Sequence, residues 1–221
     1  MNQHSKQSGQ AGSPRPPHHL LHRSEKHQPL RFGDNSDGAR NILNSVTSPL
    51  DLADALVAAW RTNGRVTAYL FENLPTALWP MTVPGMPRRT VRTIAGHIHN
   101  ARCMWTKMLG QRHGIKVPKR VSLRTVTREE LLPALQLSGQ GIVDLLELGI
   151  SRGGRIPASG VPWLNLPVDV AHVLAYLVAH EGHHRGQVVL LARQMGQRLP
   201  GEITSGLWQW SKRAKEAQAR R

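Results

Sequence analysis

The chain has 221 residues, one cysteine and a formal net charge of +15. Its length suffices for one core plus a tail, and the lone Cys103 excludes an internal disulfide and any cysteine-based zinc site, leaving His, Asp and Glu to hold a metal. No run approaches the ~18 apolar residues of a membrane helix and no apolar leader is present, so a cytoplasmic protein is the default expectation.

The positive charge is scattered along the chain, apart from five basic residues against Glu216 in the last ten. No zinc finger, helix-turn-helix or aromatic-interleaved basic motif accompanies it, so it supports only non-specific attraction to nucleic acid. Residues 1–49 are rich in Gln, Ser, Gly, Pro and His and carry few large apolar side chains. Such a stretch cannot bury enough surface to offset the entropy of ordering it, and it reads as a disordered polar tail. His18, His19, His22 and His27 lie in it and are set aside with it.

A first helix is expected over Leu52–Asn73, where Leu52, Ala55, Leu56, Ala59, Val66, Tyr69 and Leu70 form one stripe. Asp51 can cap it, or Ser48 with Pro49 in the first turn. Pro80, Pro84 and Pro87 make the next ten residues a loop. A second helix opens at the cap Thr90 and runs to Leu109, with Gly110 as its stop. Along it Val91, Ile94, Ala95, Ile98, Arg102 and Trp105 recur in steps of three and four. His97 neighbours that stripe, whereas His99 points about 160° away on a helical wheel, so only one of the two faces a shared site. His113, past the helix end, reads as a solvated loop residue, and a basic connector follows over 111–126.

Thr127 and Glu130 form a capping box for a third helix reaching about Leu148, with Pro133 distorting its first turns. Gly149, Gly153 and Gly154 end it, and residues 151–166 are turn-rich. The fourth helix spans Val168–Met195 and closes at Gly196. A short helical piece over 203–217 and a basic tail over 213–221 complete the chain. There is no sustained strand alternation and no nucleotide-binding glycine motif, so four amphipathic helices make an all-α bundle over residues 50–212 the expected fold.

The fourth helix carries His180-Glu181-Gly182-His183-His184-Arg185-Gly186-Gln187 inside an apolar run. His180 and His184 are one turn apart on one face, the spacing at which two imidazoles can share a metal ion, and His183 at i+3 is a possible substitute. Burying three histidines without a partner would be costly, and two ligands from one helix leave a third to be found elsewhere.

The stretch Thr90 to Asn100 with Trp105, followed later by the His-x-x-His-His-Arg-Gly-Gln core and Leu191-Ala-Arg-Gln-Met-Gly196, resembles the DinB/YfiT-like superfamily in order and spacing, from about Leu52 to Lys212. The resemblance implies a four-helix bundle holding one divalent ion, often zinc or nickel, through three histidines. Carried over residue by residue these are His97, His180 and His184. It also implies a homodimer. Characterised relatives include transferases and an isomerase that use low-molecular-weight thiols. Glu181 and Arg185 then stand either behind the ligands or on a solvated helix face, and Cys103 reads as a small buried residue. Three readings follow: a metal-dependent enzyme of thiol-transferase or hydrolase-like chemistry, a non-catalytic metal-binding stress-response protein, and a basic nucleic-acid module.

Overall fold

The computed structural model describes residues 51–157 and 167–219. The tail expected over 1–49 and most of the turn-rich segment ending at 166 lie outside the described residues. Four long helices carry the fold: α1 (Leu52–Asn73), α2 (Val91–Trp105), α3 (Arg128–Ser151) and α4 (Val170–Gln194). Two short ones follow, α5 (Gly201–Gly206) and α6 (Trp210–Gln218). The described residues are therefore all-α, apart from a two-stranded hairpin between α1 and α2. None of the described helices is long and apolar enough to cross a membrane.

The caps act where the sequence placed them. Asp51 Oδ1 accepts from the Ala53 amide at 2.8 Å, satisfying an N–H that has no partner within the helix. Thr127 and Glu130 bond reciprocally as a capping box. Thr90 is paired the same way with Thr93, so a second hydroxyl stands in for the usual Glu or Gln. Asp169 caps α4 by accepting from the His172 amide, which starts that helix two residues later than expected.

The loop after α1 pairs with itself. Strand β1 (Thr82–Val83) runs antiparallel to β2 (Met86–Thr90). Between them Pro84 fixes one φ and Gly85 adopts φ 75°, the positive value that tight turns need and other residues avoid. The end of α2 also differs from expectation. After Trp105 the helix widens into a π-helical turn over Thr106–Gly110, and the left-handed stop is Gly114 at φ 84°. Gly110 serves another purpose, since a Cβ there would stand 2.8 Å from Ile115 Cδ1.

The apolar faces of the long helices fill two clusters of buried side chains. One joins Leu70, Phe71, Ile94, Ile98, Leu131 and Val188. The other joins Trp60, Trp105, Ile142, Leu146, Val173 and Leu177. Gly149 lets α3 meet the start of α4, because a Cβ there would lie 2.5 Å from Val170 Cγ2. The connector after α2 is pinned rather than loose: Asn100 donates to the Val121 carbonyl at 3.0 Å and accepts from its amide at 2.9 Å.

The basic tail expected from residue 213 is instead the body of α6. Its Arg213 is buried, with the guanidinium 3.9 Å from the Tyr69 ring centre and 3.1 Å from Glu216. Glu216 in turn accepts from Arg65 at 2.7 Å, which ties the C-terminal helix to α1. Charge count alone reads this segment as solvated. The pairing of Glu216 with two arginines makes its burial tolerable.

Candidate metal centre

His97 reaches from α2 toward α4, where His180 and His184 lie one turn apart. Nε2 of His97 is 3.3 Å from Nε2 of His180, which is 3.1 Å from Nε2 of His184. One nitrogen from each of the three rings falls within 4.8 Å of the others. The His97 and His184 rings stand nearly perpendicular, with centres 4.7 Å apart. Three imidazoles on one tetrahedral zinc, each at about 2.0–2.1 Å, have nitrogens about 3.3–3.4 Å apart. The two measured separations are close to that, so the donor set fits a divalent ion.

The surroundings aim these nitrogens. His184 Nδ1 lies 2.9 Å from Gln187 Oε1. An amide oxygen only accepts, so Nδ1 carries the proton and Nε2 turns its lone pair toward the other two rings. Gln187 Oε1 accepts a second bond from Arg89 of β2 at 2.7 Å, and its Nε2 donates to His183 at 2.7 Å. His180 stacks on Tyr176 at 6.1 Å between ring centres with a 16° tilt, and Tyr176 meets Trp105 edge-on at 5.2 Å.

All three imidazoles are held neutral. Partial desolvation pushes His97 down even though the residue as a whole is exposed, and the Arg89 and Arg120 charges add to it. Burial also lowers His180, helped by His97 and His183 against the opposing pull of Glu181. His184 falls furthest, to about 4. Burial leads, the Gln187 bond opposes it, and the three neighbouring histidines add to it. Neutral imidazole is the form that binds metal, so near pH 7 no proton has to be displaced. Burial differs across the set: His184 is buried, His180 half-buried and His97 exposed, which opens the cluster on the His97 side.

The other candidate histidines go elsewhere. His183 is exposed and bound to Gln187. His99 is fully buried away from the cluster, with Nδ1 3.0 Å from Ser138 Oγ and Nε2 3.0 Å from the Lys119 carbonyl. Cys103 sits beside it at 3.3 Å, and burial pushes its thiol up to about 11. His113 is exposed past the helix end.

Glu181 and Arg185 are neither ligand partners nor a solvated face. Glu181 is 1% exposed, and its carboxylate accepts from Arg102 through Nε at 2.6 Å and Nη2 at 2.8 Å. Asn63 and Thr67 of α1 donate to its Oε2 at 2.9 and 2.7 Å. Arg185 binds Asn63 Oδ1 and Thr67 Oγ1 from the other side. Burial alone would raise the Glu181 carboxyl, but the charge and hydrogen bonds of Arg102, then Thr67 and Arg185, outweigh it and hold it below the usual range. This network fixes the rotation of α4 against α1 and α2, and thereby the direction of His180 and His184. Sequence reading missed Asn63 and Thr67, since single polar residues on a helix carry no signal of a partner more than 110 positions away. Gln187 and Tyr176 did carry one, at i+3 and i−4 from ligand candidates.

An all-α chain with three convergent histidines from two of its helices defines a class of helical protein able to hold one metal ion. Residues 46–214 match the model of the DinB family, and the chain belongs to that family. Comparison with curated proteins found no match.

Proposed function

We propose that this protein is a divalent-metal-dependent enzyme whose ion is held by His97, His180 and His184. The observation that carries the proposal is the convergence of three Nε2 atoms in a cluster that remains open beside His97. A purely structural ion is normally closed off by a fourth protein ligand, whereas a catalytic ion keeps a position for water or substrate. Zinc or nickel suits three imidazoles. When bound, the ion would supply Lewis acidity and lower the pKa of a coordinated water or thiol.

The chain's own residues supply orientation and field. Gln187 keeps the His184 proton on Nδ1. Tyr176 and Trp105 form an aromatic wall along His180. Arg89 and Arg120 place positive charge near His97, and Glu181 is already committed to Arg102. An anionic nucleophile is therefore drawn to this mouth. That favours thiol-dependent transfer with a low-molecular-weight thiol over hydrolysis, in a homodimer as the family resemblance implies and in the cytoplasm as the sequence composition suggests.

The test is calorimetric titration of zinc and nickel into stripped protein, followed by thermal melts. One ion per chain should bind, and His97→Ala should lose at least an order of magnitude in affinity. Equal affinity in His97→Ala would overturn the site. Tight binding in wild type with no turnover of any thiol or ester would leave the ion as a brace between α2 and α4 and remove the enzymatic reading.

A further inference from the structure

A cleft of 640 Å³ lies between α1 and α3, with Ala217 of α6 at its edge, and none of the three clustered histidines lines it. That volume is typical of small-molecule sites. Trp60, Leu132, Leu135 and Val143 give it apolar walls. Its floor is charged: the Arg102 guanidinium, 2% exposed, reaches the cleft from α2.

Arg102 has five N–H groups. Nε and Nη2 each donate to Glu181, and Nη1 donates to the Leu135 carbonyl at 2.9 Å. Nη1 and Nη2 therefore each keep one further N–H. These are also the nitrogens that two glycines leave uncovered. A Cβ on Gly139 would stand 3.3 Å from Nη1, and one on Gly64 4.0 Å from Nη2. The Trp60 ring, 4.9 Å away, packs near the guanidinium.

The charges here do not balance. Arg102 and Arg185 share the single carboxylate of Glu181, which leaves one positive charge in the buried set. Arg61, lining the same cleft, makes no ion pair among the described residues. Its Nη1 reaches Gln140 Oε1 at 3.4 Å, and its Nε is buried without a hydrogen-bond partner. Arg65 and Arg213, by contrast, are neutralised by Glu72 and Glu216. Buried unpaired charge is costly, and the guanidinium groups of Arg61 and Arg102, which both line this largely apolar cleft, suit a bidentate anion, whereas Arg65 and Glu72, which line it too, are paired with each other.

We propose that this cleft is a second binding site, separate from the metal centre, that takes a small amphiphilic carboxylate. The carboxylate bridges Arg102 and Arg61, and the hydrocarbon body lies between Trp60, Leu132, Leu135 and Val143.

The probe is octanoate, titrated by calorimetry into the full chain at fixed ionic strength, with acetate and octylamine as controls. Octanoate should bind saturably with one molecule per chain, and both controls should be weaker by tenfold or more. Arg61→Gln removes one charge at the surface, and Gly64→Leu fills the approach to Arg102. Each should weaken octanoate by about tenfold, and neither should melt below wild type. His97→Ala should bind octanoate unchanged. Three outcomes overturn the proposal: no saturation by octanoate, equal binding of acetate (attraction to a +15 surface), or loss of binding in His97→Ala, which would place the carboxylate on the metal.

Discussion

Gln187 joins three parts of the molecule with one amide. Its oxygen accepts hydrogen bonds from His184 and from Arg89 of the hairpin, and its nitrogen donates to His183. Because the bond to His184 sets which ring nitrogen is free, Gln187→Ala should lower zinc affinity about 10- to 100-fold although it touches no ion. His183→Ala removes only the outermost member and should keep one ion per chain by elemental analysis. Loss of the ion in His183→Ala, with retention in His184→Ala, would reverse the ligand assignment. Glu181 makes the opposite kind of contribution. Glu181→Gln keeps the shape but leaves Arg102 and Arg185 buried without a counter-charge, a loss of about 3–5 kcal/mol. Urea melts of the stripped protein should show it, and an unchanged midpoint would mean the network is solvated.

Between elements, close approach decides which glycines tolerate change. At Gly149 a new Cβ would press on Val170 Cγ2 at 2.5 Å and Ile156 Cγ1 at 3.0 Å. Gly149→Ala should therefore cost about 1–3 kcal/mol. Gly186 on α4 has nothing within 4 Å of that position, so Gly186→Ala should stabilise the helix by about 0.5–1 kcal/mol. Thermal melts of the two variants should shift in opposite directions. The four long helices could be read from stripes and caps because local signals determine them: Asp51, Thr90 and Thr127 cap where their side chains allow. The approach of His97 to His180 and His184 was foreseeable in part: helical spacing paired His180 with His184 and set His97 beside an apolar stripe, and the family resemblance singled out His97 as the third ligand. The hairpin was not, since Pro84-Gly85 marks a turn without saying that its flanks will pair over so few residues. Nor was the burial of Arg102, Arg185 and Arg213, because a charge reads as solvated until its partners are known: Glu181 lies 79 residues from Arg102, and Arg185 and Arg213, though close in sequence to Glu181 and Glu216, are buried against Asn63, Thr67 and Tyr69 of α1 far earlier in the chain.

For the molecule as a whole, the histidine cluster sets a pH limit. In the metal-free chain His184 titrates at about 4, against 6.5 for an ordinary histidine, and His97 and His180 are lowered too. The unfolded chain therefore takes up protons first as pH falls. The folded state keeps its full stability above about 6.5 and loses it progressively toward about 4. Bound metal should oppose that loss, adding about 2.7 kcal/mol at a free concentration a hundred times the dissociation constant. Melting temperatures at pH 7.5, 6 and 5, with and without zinc, test both signs. A metal-free melting temperature that is flat from pH 7.5 to 5 would mean that these rings are solvated.

Glu181 answers Arg102 from 79 residues further along the chain, and Asn63 and Thr67 from 118 and 114 residues away. During synthesis, α1, α2 and α3 emerge from the ribosome with a guanidinium aimed at their centre and no counter-ion for it. Its partner arrives on the same turn of helix as His180 and His184. Those first helices thus cannot settle into a finished core early, and a fragment ending at residue 157 should stay mobile, with poorly dispersed NMR signals. The same delivery that closes the core brings the last two imidazoles, so the three-histidine cluster is complete only once His180 and His184 are made.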